Sequence, residues 1–501
     1  MKSRVWWPAV AALALLKLAV HVYCSSRYGY FRDELYFIAC GRHLDWGYVD
    51  HPPLIAIYAR IGELFGPSLR GFRLLVSLAG ALRIVLTGII AARLGGGRTA
   101  QFLACLTVLL SSMYLAMDSI LTMNTFEHLF WLGCLLIVIE IINGADEKWW
   151  LLFGVLAGLG LQNKHSMLFF GVAVTAAMLL TPLRRSFLRP WFWLGGAIAA
   201  LIFLPNVIWQ VQHDWATLEL LRNVKESGKN VVLAPIPFVV QQVMMLNPFT
   251  APVWITGLIG LFVARPLRQY RILGMIYILV LVMFIALEAK DYYVAPVYPI
   301  LFAAGAVAIE WWVRSRVARA AIFAFVIAGG LIAVPLVLPF LSPASYLRYA
   351  KAIRAKHQET EVSHTSELPQ RLADQLGWEE MVRKVARYYH SLPPEQRKAT
   401  AIYGSNYGEA AAIDFYGPKY GLPPAISGHQ NYYLWGPRGY TGESMIVLAD
   451  RIVRTRPLYE SIVVIDQRFH PFAMPEENGP IFHCRTRRPL SEIWPSYKYW
   501  R

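Results

Sequence analysis

The sequence predicts a polytopic α-helical membrane protein of about eleven transmembrane helices, followed by a C-terminal soluble α/β domain. Of its 501 residues, 56% are hydrophobic and only 16% are charged, whereas soluble domains contain about 25% charged residues. The apolar residues are concentrated in blocks of the length that a helix needs to cross roughly 30 Å of hydrocarbon. Short basic stretches separate these blocks, as is typical of membrane-protein loops.

Eleven apolar blocks precede the tail, and their flanking charges predict an orientation. With the N-terminus in the cytoplasm, every inner connection is short and carries Arg or Lys, as the positive-inside bias requires. The long first loop, the segment after the seventh block and the tail then lie outside the cytoplasm. The blocks cover residues 5–23, 71–94, 98–115, 125–142, 149–164, 167–182, 190–209, 249–264, 272–287, 294–312 and 320–340.

The chain divides into two predicted domains. Residues 1–341 form the transmembrane domain, with an external loop over 24–70 whose aromatic and apolar character favours interfacial helices. Residues 342–501 form an extracytoplasmic domain, in which a polar helical stretch is followed by β-rich runs at 400–403 and 461–465. Such alternation of helix and strand is typical of a small α/β fold.

The net charge of +16 does not indicate a nucleic-acid partner. Arg and Lys stand mostly at the ends of the apolar blocks, where membrane topology and anionic lipids account for them. Membrane lipids are therefore the expected partners of the basic residues.

The first external loop carries an acidic pair, Asp33 and Glu34. An ionised side chain just outside a bilayer requires water, a partner or a function. The pair either caps an interfacial helix or supplies a general base or metal ligand at the membrane surface. Further along the loop, Asp50 and His51 either end a loop before two prolines or provide a carboxylate and an imidazole for a divalent cation or sugar hydroxyls.

Several motifs together resemble a known family. The runs 32–37 and 47–54 look like the first external loop of bacterial GT-C glycosyltransferases, the group similar to the dolichyl-phosphate-mannose-protein mannosyltransferases and the lipid A aminoarabinose transferase. The resemblance extends over residues 1–340 and weakens in the tail, where only 406–410 and 427–429 resemble the tails of bacterial relatives. The further matches, in chain order, are 117–124, 160–165, 205–210 with 213–215, and 290–299.

The resemblance implies a GT-C fold in the inner (plasma) membrane of a bacterium. It implies an inverting hexosyl- or pentosyltransferase that takes a sugar from a polyprenyl-phosphate donor. The acceptor would be a lipid, a glycan or a protein on the extracytoplasmic face. The family's catalytic acid falls on Asp33, beside Glu34. In some relatives this acid deprotonates an acceptor hydroxyl, and in others the acceptor is a phosphate that needs little activation.

The leaving group of such a transfer is a lipid phosphate, whose charge cationic side chains stabilise. Lys164, His165 and Lys290 stand at the predicted outer ends of spans, where a phosphate headgroup would lie. For both lysines, snorkelling to the interface is the alternative interpretation. The residues expected to line the sugar beside Lys290 are Tyr292, Tyr293 and Tyr298.

A second acid, Asp118, lies on the same predicted outer face as Asp33. It orients the acceptor, completes a metal site with Asp50 and His51, or caps a helix. A divalent cation is accordingly the one candidate cofactor. Arg83 falls in the middle of the second span and requires a partner or a lipid phosphate. We expect Asp33, Asp118 and Lys290 to converge in one cavity.

A transporter and a non-catalytic scaffold are the two alternatives to an enzyme. A transporter places its ionisable residues at the bilayer midplane, often between repeated halves. Here the acids cluster at one predicted surface, and no internal repeat is found in the sequence. A non-catalytic envelope scaffold would not need acids in the first loop, so replacing Asp33 separates a scaffold from an enzyme.

Overall fold

The protein is described by a computed structural model that covers residues 3–66, 68–355, 366–449, 452 and 455–501. The chain forms two units assembled from alternating stretches. The helical unit comprises Met1–Ser26, Arg70–Trp209 and Val232–Leu341. The loop–tail unit comprises Arg27–Leu69, Gln210–Val231 and Ser342–Arg501, so two of the predicted external segments belong with the tail.

Helices make up most of the helical unit and also occur throughout the loop–tail unit, and short 3₁₀ turns connect several of them. In chain order the helices are α1 (Trp7–Cys24), α2 (Arg32–Arg42), α3 (Leu54–Leu64), α4 (Leu69–Phe72), α5 (Leu74–Arg93), α6 (Arg98–Leu110), α7 (Ser112–Met117), α8 (Met123–Ile142), α9 (Trp149–Asn163), α10 (Met167–Leu179), α11 (Pro190–Gln212), α12 (Ala216–Glu226), α13 (Pro235–Leu246), α14 (Ala251–Val263), α15 (Arg271–Ala286), α16 (Tyr298–Trp312), α17 (Arg316–Val337), α18 (Pro343–Ala352), α19 (Gln370–Ala373), α20 (Trp378–Ser391), α21 (Pro394–Ala399), α22 (Tyr407–Tyr416), α23 (Asn431–Leu434) and α24 (Leu490–Ile493).

The predicted class of polytopic α-helical membrane protein is confirmed, because each of the eleven apolar blocks contains a helix. In the described part of the chain, seven helices are long and apolar enough to cross a membrane, or nine if two sharply bent helix pairs each count as one span. The count of eleven stays a prediction. α6 has 13 residues and α9 has 15, whereas a straight span needs about 20.

A group of buried charges joins three segments of the helical unit. Asp118, directly after α7, accepts hydrogen bonds from Arg83 on α5, from Nη1 to Oδ2 at 3.0 Å and from Nη2 to Oδ1 at 2.8 Å. Lys17 on α1 lies 2.8 Å from the same Oδ2. All three side chains are 0% exposed. The partner that Arg83 requires within the apolar interior is therefore Asp118.

Gly80 makes room for this ion group. It lies three residues before Arg83 on α5, so both residues occupy the same side of the helix. A Cβ atom at Gly80 would lie 2.5 Å from Asp118 Oδ2. The absence of a side chain at this position thus allows the carboxylate to approach α5 and reach the guanidinium.

The loop–tail unit contains a four-stranded sheet, which confirms the α/β class of the tail. The strand order is β1-β2-β4-β3, with β1 and β2 parallel and the other two pairs antiparallel. The runs predicted at 400–403 and 461–465 both lie in strands. The strands are β1 (Thr400–Gly404), β2 (Ser444–Leu448), β3 (Tyr459–Arg468) and β4 (Gly479–Thr486).

The segment predicted as the first external loop is helical and packs on the tail. Its helices α2 and α3 lie against each other, and α2 also lies against α22, which directly follows β1 and its connecting turn. α2 therefore packs against both α3 and α22. This packing brings the loop's acidic residues into contact with residues of the α/β domain.

Replacing Asp118 by Asn is expected to destabilise the helical unit, because Arg83 and Lys17 would stay buried without their counter-charge. Breaking a buried ion pair costs about 3–5 kcal/mol. Thermal unfolding of the purified protein in detergent measures the loss. Glu395→Gln is the control, since the Glu395–Lys398 pair is exposed and such pairs contribute about 0–1 kcal/mol. An Asp118→Asn protein as stable as the wild type would contradict this role.

Candidate active site

Asp33 lies in the first turn of α2, and 36% of its side chain is exposed. Its Oδ1 accepts a hydrogen bond from the Tyr407 hydroxyl at 2.7 Å. The Nε of Arg32 lies 3.9 Å from the same oxygen. The carboxylate is therefore oriented by a phenol and a cation while it remains open to solvent. Such a group can take a proton from a substrate hydroxyl.

Arg32 fixes the start of α2 to the tail. Its Nη1 donates to Glu476 Oε1 at 2.9 Å, and its Nη2 lies 3.7 Å from Asp374 Oδ2. Its backbone N–H donates to the Asp374 carbonyl at 3.1 Å. A Cβ at Gly408 would lie 2.4 Å from Arg32 Cγ, so the glycine lets the arginine pass. The two acids and the glycine thus hold the residue that precedes Asp33.

Tyr407 is surrounded by aromatic rings and a cation. Its ring centre lies 4.7 Å from that of Tyr36 and 4.9 Å from that of His429, and Arg32 Cζ lies 5.5 Å away. Burial raises the pKa of the Tyr407 hydroxyl well above its usual range. The phenol therefore stays protonated at neutral pH and remains the donor in its hydrogen bond to Asp33.

His429 supports Tyr407 from the tail. The Tyr407 backbone N–H donates to His429 Nδ1 at 3.2 Å. Burial lowers the pKa of His429 to about 3, so the imidazole is neutral at physiological pH. With Nδ1 as the acceptor, the proton resides on Nε2, which lies 3.3 Å from the Arg501 carbonyl.

The residues on either side of Tyr407 fix its position. Asn406 caps α22 by accepting the Glu409 N–H at 2.9 Å, and Glu409 reaches back to the Ser405 N–H at 2.7 Å. Glu409 also forms an ion pair with the buried Arg468. This reciprocal capping defines where the helix begins. The cap therefore fixes the position of Tyr407, the first residue of α22.

Glu34 has a different environment from Asp33. It is fully buried, and its Oε2 accepts the Phe31 N–H at 2.8 Å. A glutamate at the third helical position that reaches back to the N-cap backbone is a helix-capping arrangement. Glu34 therefore makes a helix-capping contact, as one of the two interpretations of the acidic pair expects. A catalytic role for Glu34 stays a prediction.

Asp50 and His51 lie together near Tyr36. The Tyr36 hydroxyl donates to Asp50 Oδ1 at 2.9 Å and accepts the Asn431 N–H at 3.3 Å. Burial raises the pKa of Asp50, although the Tyr36 hydrogen bond opposes the shift. His51 is fully buried, and its Nδ1 lies 2.9 Å from the Pro52 carbonyl. Its Nε2 faces Asp50 Oδ1 at 3.9 Å.

Of the three predicted metal ligands, Asp50 and His51 belong to the loop–tail unit and Asp118 belongs to the helical unit. Asp50 and His51 are neighbours, whereas both oxygens of Asp118 are bound by Arg83 and Lys17. Within the described ranges, no three His, Cys, Asp or Glu side chains are grouped so that they could hold a metal ion. A divalent cation therefore stays a prediction.

In the helical unit, Lys164 is the centre of a second polar cluster. Its Nζ donates to Asn124 Oδ1 at 2.8 Å and to Glu127 Oε2 at 2.9 Å. It also lies 4.1 Å from the ring centre of Tyr293 and 5.8 Å from that of Tyr292. Tyr292 and Tyr293 thus flank Lys164, and their expected place beside a sugar at Lys290 stays a prediction. The lysine side chain is 12% exposed.

The remaining predicted residues of the helical unit, His165, Lys290 and Tyr298, have different surroundings. His165 Nε2 lies 3.1 Å from Asn206 Oδ1. Lys290 is half-buried just before the 3₁₀ turn Asp291–Val297. Tyr298 is 0% exposed, and its hydroxyl bonds to other side chains of the bundle, so it packs in the core. The expected convergence of Asp33, Asp118 and Lys290 stays a prediction. The partners of Tyr298, both at 3.1 Å, are Tyr277 and Gln242.

Part of the chain is similar in sequence to known proteins. Residues 50–209 match the family described as dolichyl-phosphate-mannose-protein mannosyltransferase. The lipid A galacturonosyltransferase RgtD of Rhizobium johnstonii is 29% identical over 213 residues. That alignment covers 40% of this chain and 43% of the relative, so the chain matches less than half of the relative's length.

Solved structures share the fold over nearly the whole chain. ArnT from Cupriavidus metallidurans bound to undecaprenyl phosphate superposes with a TM-score of 0.62 at 14% identity, covering 96% of this chain and 99% of ArnT. The chain therefore shares the fold of ArnT. The archaeal oligosaccharyltransferase AglB from Archaeoglobus fulgidus with an inhibitory peptide and a dolichol-phosphate gives a TM-score of 0.51 at 13% identity over 90% of this chain and 71% of AglB.

Sequence reasoning did not place Tyr407 in the site. The sequence carries one local signal for it, the spacing of Asn406 and Glu409, which predicts a helix that begins at Tyr407. That signal gives the helix start but not the partner. Asp33 lies 374 residues away in the sequence, and only the packing of α2 on α22 shows that the two meet.

Proposed function

We propose that this GT-C protein is an inverting glycosyltransferase. It transfers one sugar from a polyprenyl-phosphate donor to a lipid, glycan or protein acceptor on the extracytoplasmic face of the bacterial inner membrane. The observation that carries the proposal is the partly exposed carboxylate of Asp33, oriented by Tyr407 and Arg32. The lipid phosphates bound to ArnT and AglB support a carrier of the same class for this chain.

In the proposed reaction, Asp33 accepts the proton of an acceptor hydroxyl as that oxygen attacks the anomeric carbon of the sugar. The bond between the anomeric carbon and the carrier phosphate oxygen breaks, and its electron pair leaves with the phosphate. A single displacement of this kind inverts the anomeric configuration. Tyr407 and Arg32 contribute by holding the carboxylate in a productive orientation. If the acceptor is a phosphate, Asp33 orients it without removing a proton.

Lys164 is the proposed partner of the departing carrier phosphate. Its ammonium lies against the faces of Tyr292 and Tyr293, which suit the apolar face of a sugar. A positive charge that meets the developing phosphate charge lowers the barrier of the transfer. Glu127 and Asn124 hold the ammonium in place. Lys290 remains the second candidate for this role.

Replacing Asp33 by Asn is expected to reduce product at least about 100-fold, since a general base contributes about 10²–10⁴ in rate. Mass spectrometry of envelope glycolipids and glycoproteins measures the product in a strain that carries only the variant. Glu395→Gln is the control, because Glu395 is exposed and pairs with the exposed Lys398, and it is expected to leave product near the wild-type amount. Unchanged product with Asp33→Asn, at normal protein level, would favour a scaffold over an enzyme.

Replacing Tyr407 by Phe is expected to lower the transfer rate roughly tenfold or more. Hydrogen bonds to charged groups contribute about 1.5–3 kcal/mol, and each 1.36 kcal/mol is about tenfold in rate. Initial rates of transfer in membranes measure the effect. The control is Tyr420→Phe, because the Tyr420 hydroxyl also donates to a carboxylate at 2.7 Å, that of Glu379. Equal rates for the two variants would remove Tyr407 from the site.

Replacing Lys164 by Met is expected to raise the KM for the polyprenyl-phosphate donor roughly tenfold, or about 1.4 kcal/mol. Lys148→Met, at the other end of α9, is the control and should leave the KM within about twofold. Because Lys164→Met also leaves Glu127 buried without its cation, the pair Lys164→Met with Glu127→Gln is measured as well. A donor KM restored in this double variant would show that Lys164 only neutralises Glu127.

A further inference from the structure

α12 exposes an apolar and basic side to solvent. Trp215, Leu218 and Leu221 are 46%, 57% and 58% exposed, and Arg222 and Lys225 are exposed as well. At about 100° per residue, the four positions within α12 fall within roughly 100° of the helix circumference, and Trp215 directly precedes the helix. We refer to these five residues as the α12 surface.

The opposite side of α12 is fixed to the end of the tail. Leu220 is buried, Glu219 forms an ion pair with Lys498 at 2.8 Å, and the Asn223 amide donates to the Trp500 carbonyl at 2.9 Å. The helix therefore cannot rotate to bury its apolar residues without breaking these contacts. The α12 surface remains directed outward.

A tight turn connects α12 to an apolar helix. Three residues separate α11 from α12, and such a segment spans at most about 10 Å. Asp214 and Trp215 both adopt left-handed backbone conformations, with φ of 53° and 57°, and the Trp215 N–H donates to the Gln210 carbonyl at 2.7 Å. α11 is 23 residues long, and only 11% of its most apolar 18-residue stretch is buried within the protein. Its exposed apolar sides are typical of a span that faces lipid. α12 thus begins close to the end of a lipid-facing span.

We propose that the α12 surface lies in the headgroup region of the bilayer and binds anionic phospholipid. Tryptophan and leucine side chains enter the boundary between headgroups and acyl chains, while Arg and Lys meet the lipid phosphates. Only three residues connect α12 to the end of α11, and this short covalent connection favours a lipid surface over a protein partner. By its contacts with Lys498 and Trp500, α12 then holds the C-terminus of the tail at the membrane. This inference does not depend on the proposed transfer reaction.

The test places a fluorophore at position 218 of the full-length protein in nanodiscs of phosphatidylglycerol and phosphatidylcholine. The five native cysteines are buried, so a thiol-reactive dye labels the introduced residue of Leu218→Cys. Nitroxide groups near the lipid headgroups report proximity by quenching. Val463→Cys on β3 is the matched control, because Val463 is also 57% exposed. Quenching at 218 is expected to be at least about threefold stronger than at 463. Leu221→Cys provides a second position if Leu218→Cys does not fold.

Charge reversal tests the lipid class. Adding Arg222→Glu and Lys225→Glu to Leu218→Cys is expected to reduce quenching in phosphatidylglycerol nanodiscs at least about twofold. Equal quenching at 218 and 463 would overturn the proposal. Quenching that is insensitive to charge reversal would overturn the role of anionic lipid. A dye at 218 that is shielded from aqueous iodide but not reached by the lipid nitroxide would identify a protein partner instead. None of these measurements requires transferase activity, so failure of the proposed function would leave them unaffected.

Discussion

The hydrogen bond between the Tyr407 hydroxyl and Asp33 is the contact on which the candidate site depends. It joins the first external loop to the tail across 374 residues of sequence. Arg32 reinforces it through Glu476 and Asp374. The α/β domain is therefore part of the environment of Asp33, the candidate catalytic residue. Its sheet positions α22, the cap of α22 positions Tyr407, and Tyr407 orients the carboxylate.

The helical unit depends on a separate polar constraint. Asp118 neutralises part of the charge of Arg83 and Lys17 in a fully buried group that joins α1, α5 and the end of α7. Charges in an apolar interior are tolerated only when they are paired, because their removal from water costs several kcal/mol per ion. Such a pairing favours one arrangement of helices over others. Gly80 shows that α5 is shaped for it, since any side chain there would displace the carboxylate.

Structural similarity establishes the fold of this chain but not its reaction. ArnT shares the fold over almost its whole length at 14% identity, which establishes the architecture. A fold by itself does not assign function, which resides in particular side chains and their geometry. For this chain the argument for transfer therefore rests on the environment of Asp33. The argument for a phosphate-binding cation rests on the environment of Lys164.

The sequence alone determined the apolar helices and the α/β class of the tail, because hydrophobic blocks and strand patterns are local signals. For the Asp33–Glu34 pair it offered helix capping as one of two interpretations, and the structure shows that Glu34 makes the capping contact. The sequence also placed Asp33 by resemblance to a family motif. Only the tertiary structure decided that Tyr407 bonds to Asp33, that Tyr293 flanks Lys164, and that Tyr298 is buried in the core. These pairings join residues far apart in the chain. Their free energies depend on which helices pack together, and no local pattern specifies that packing.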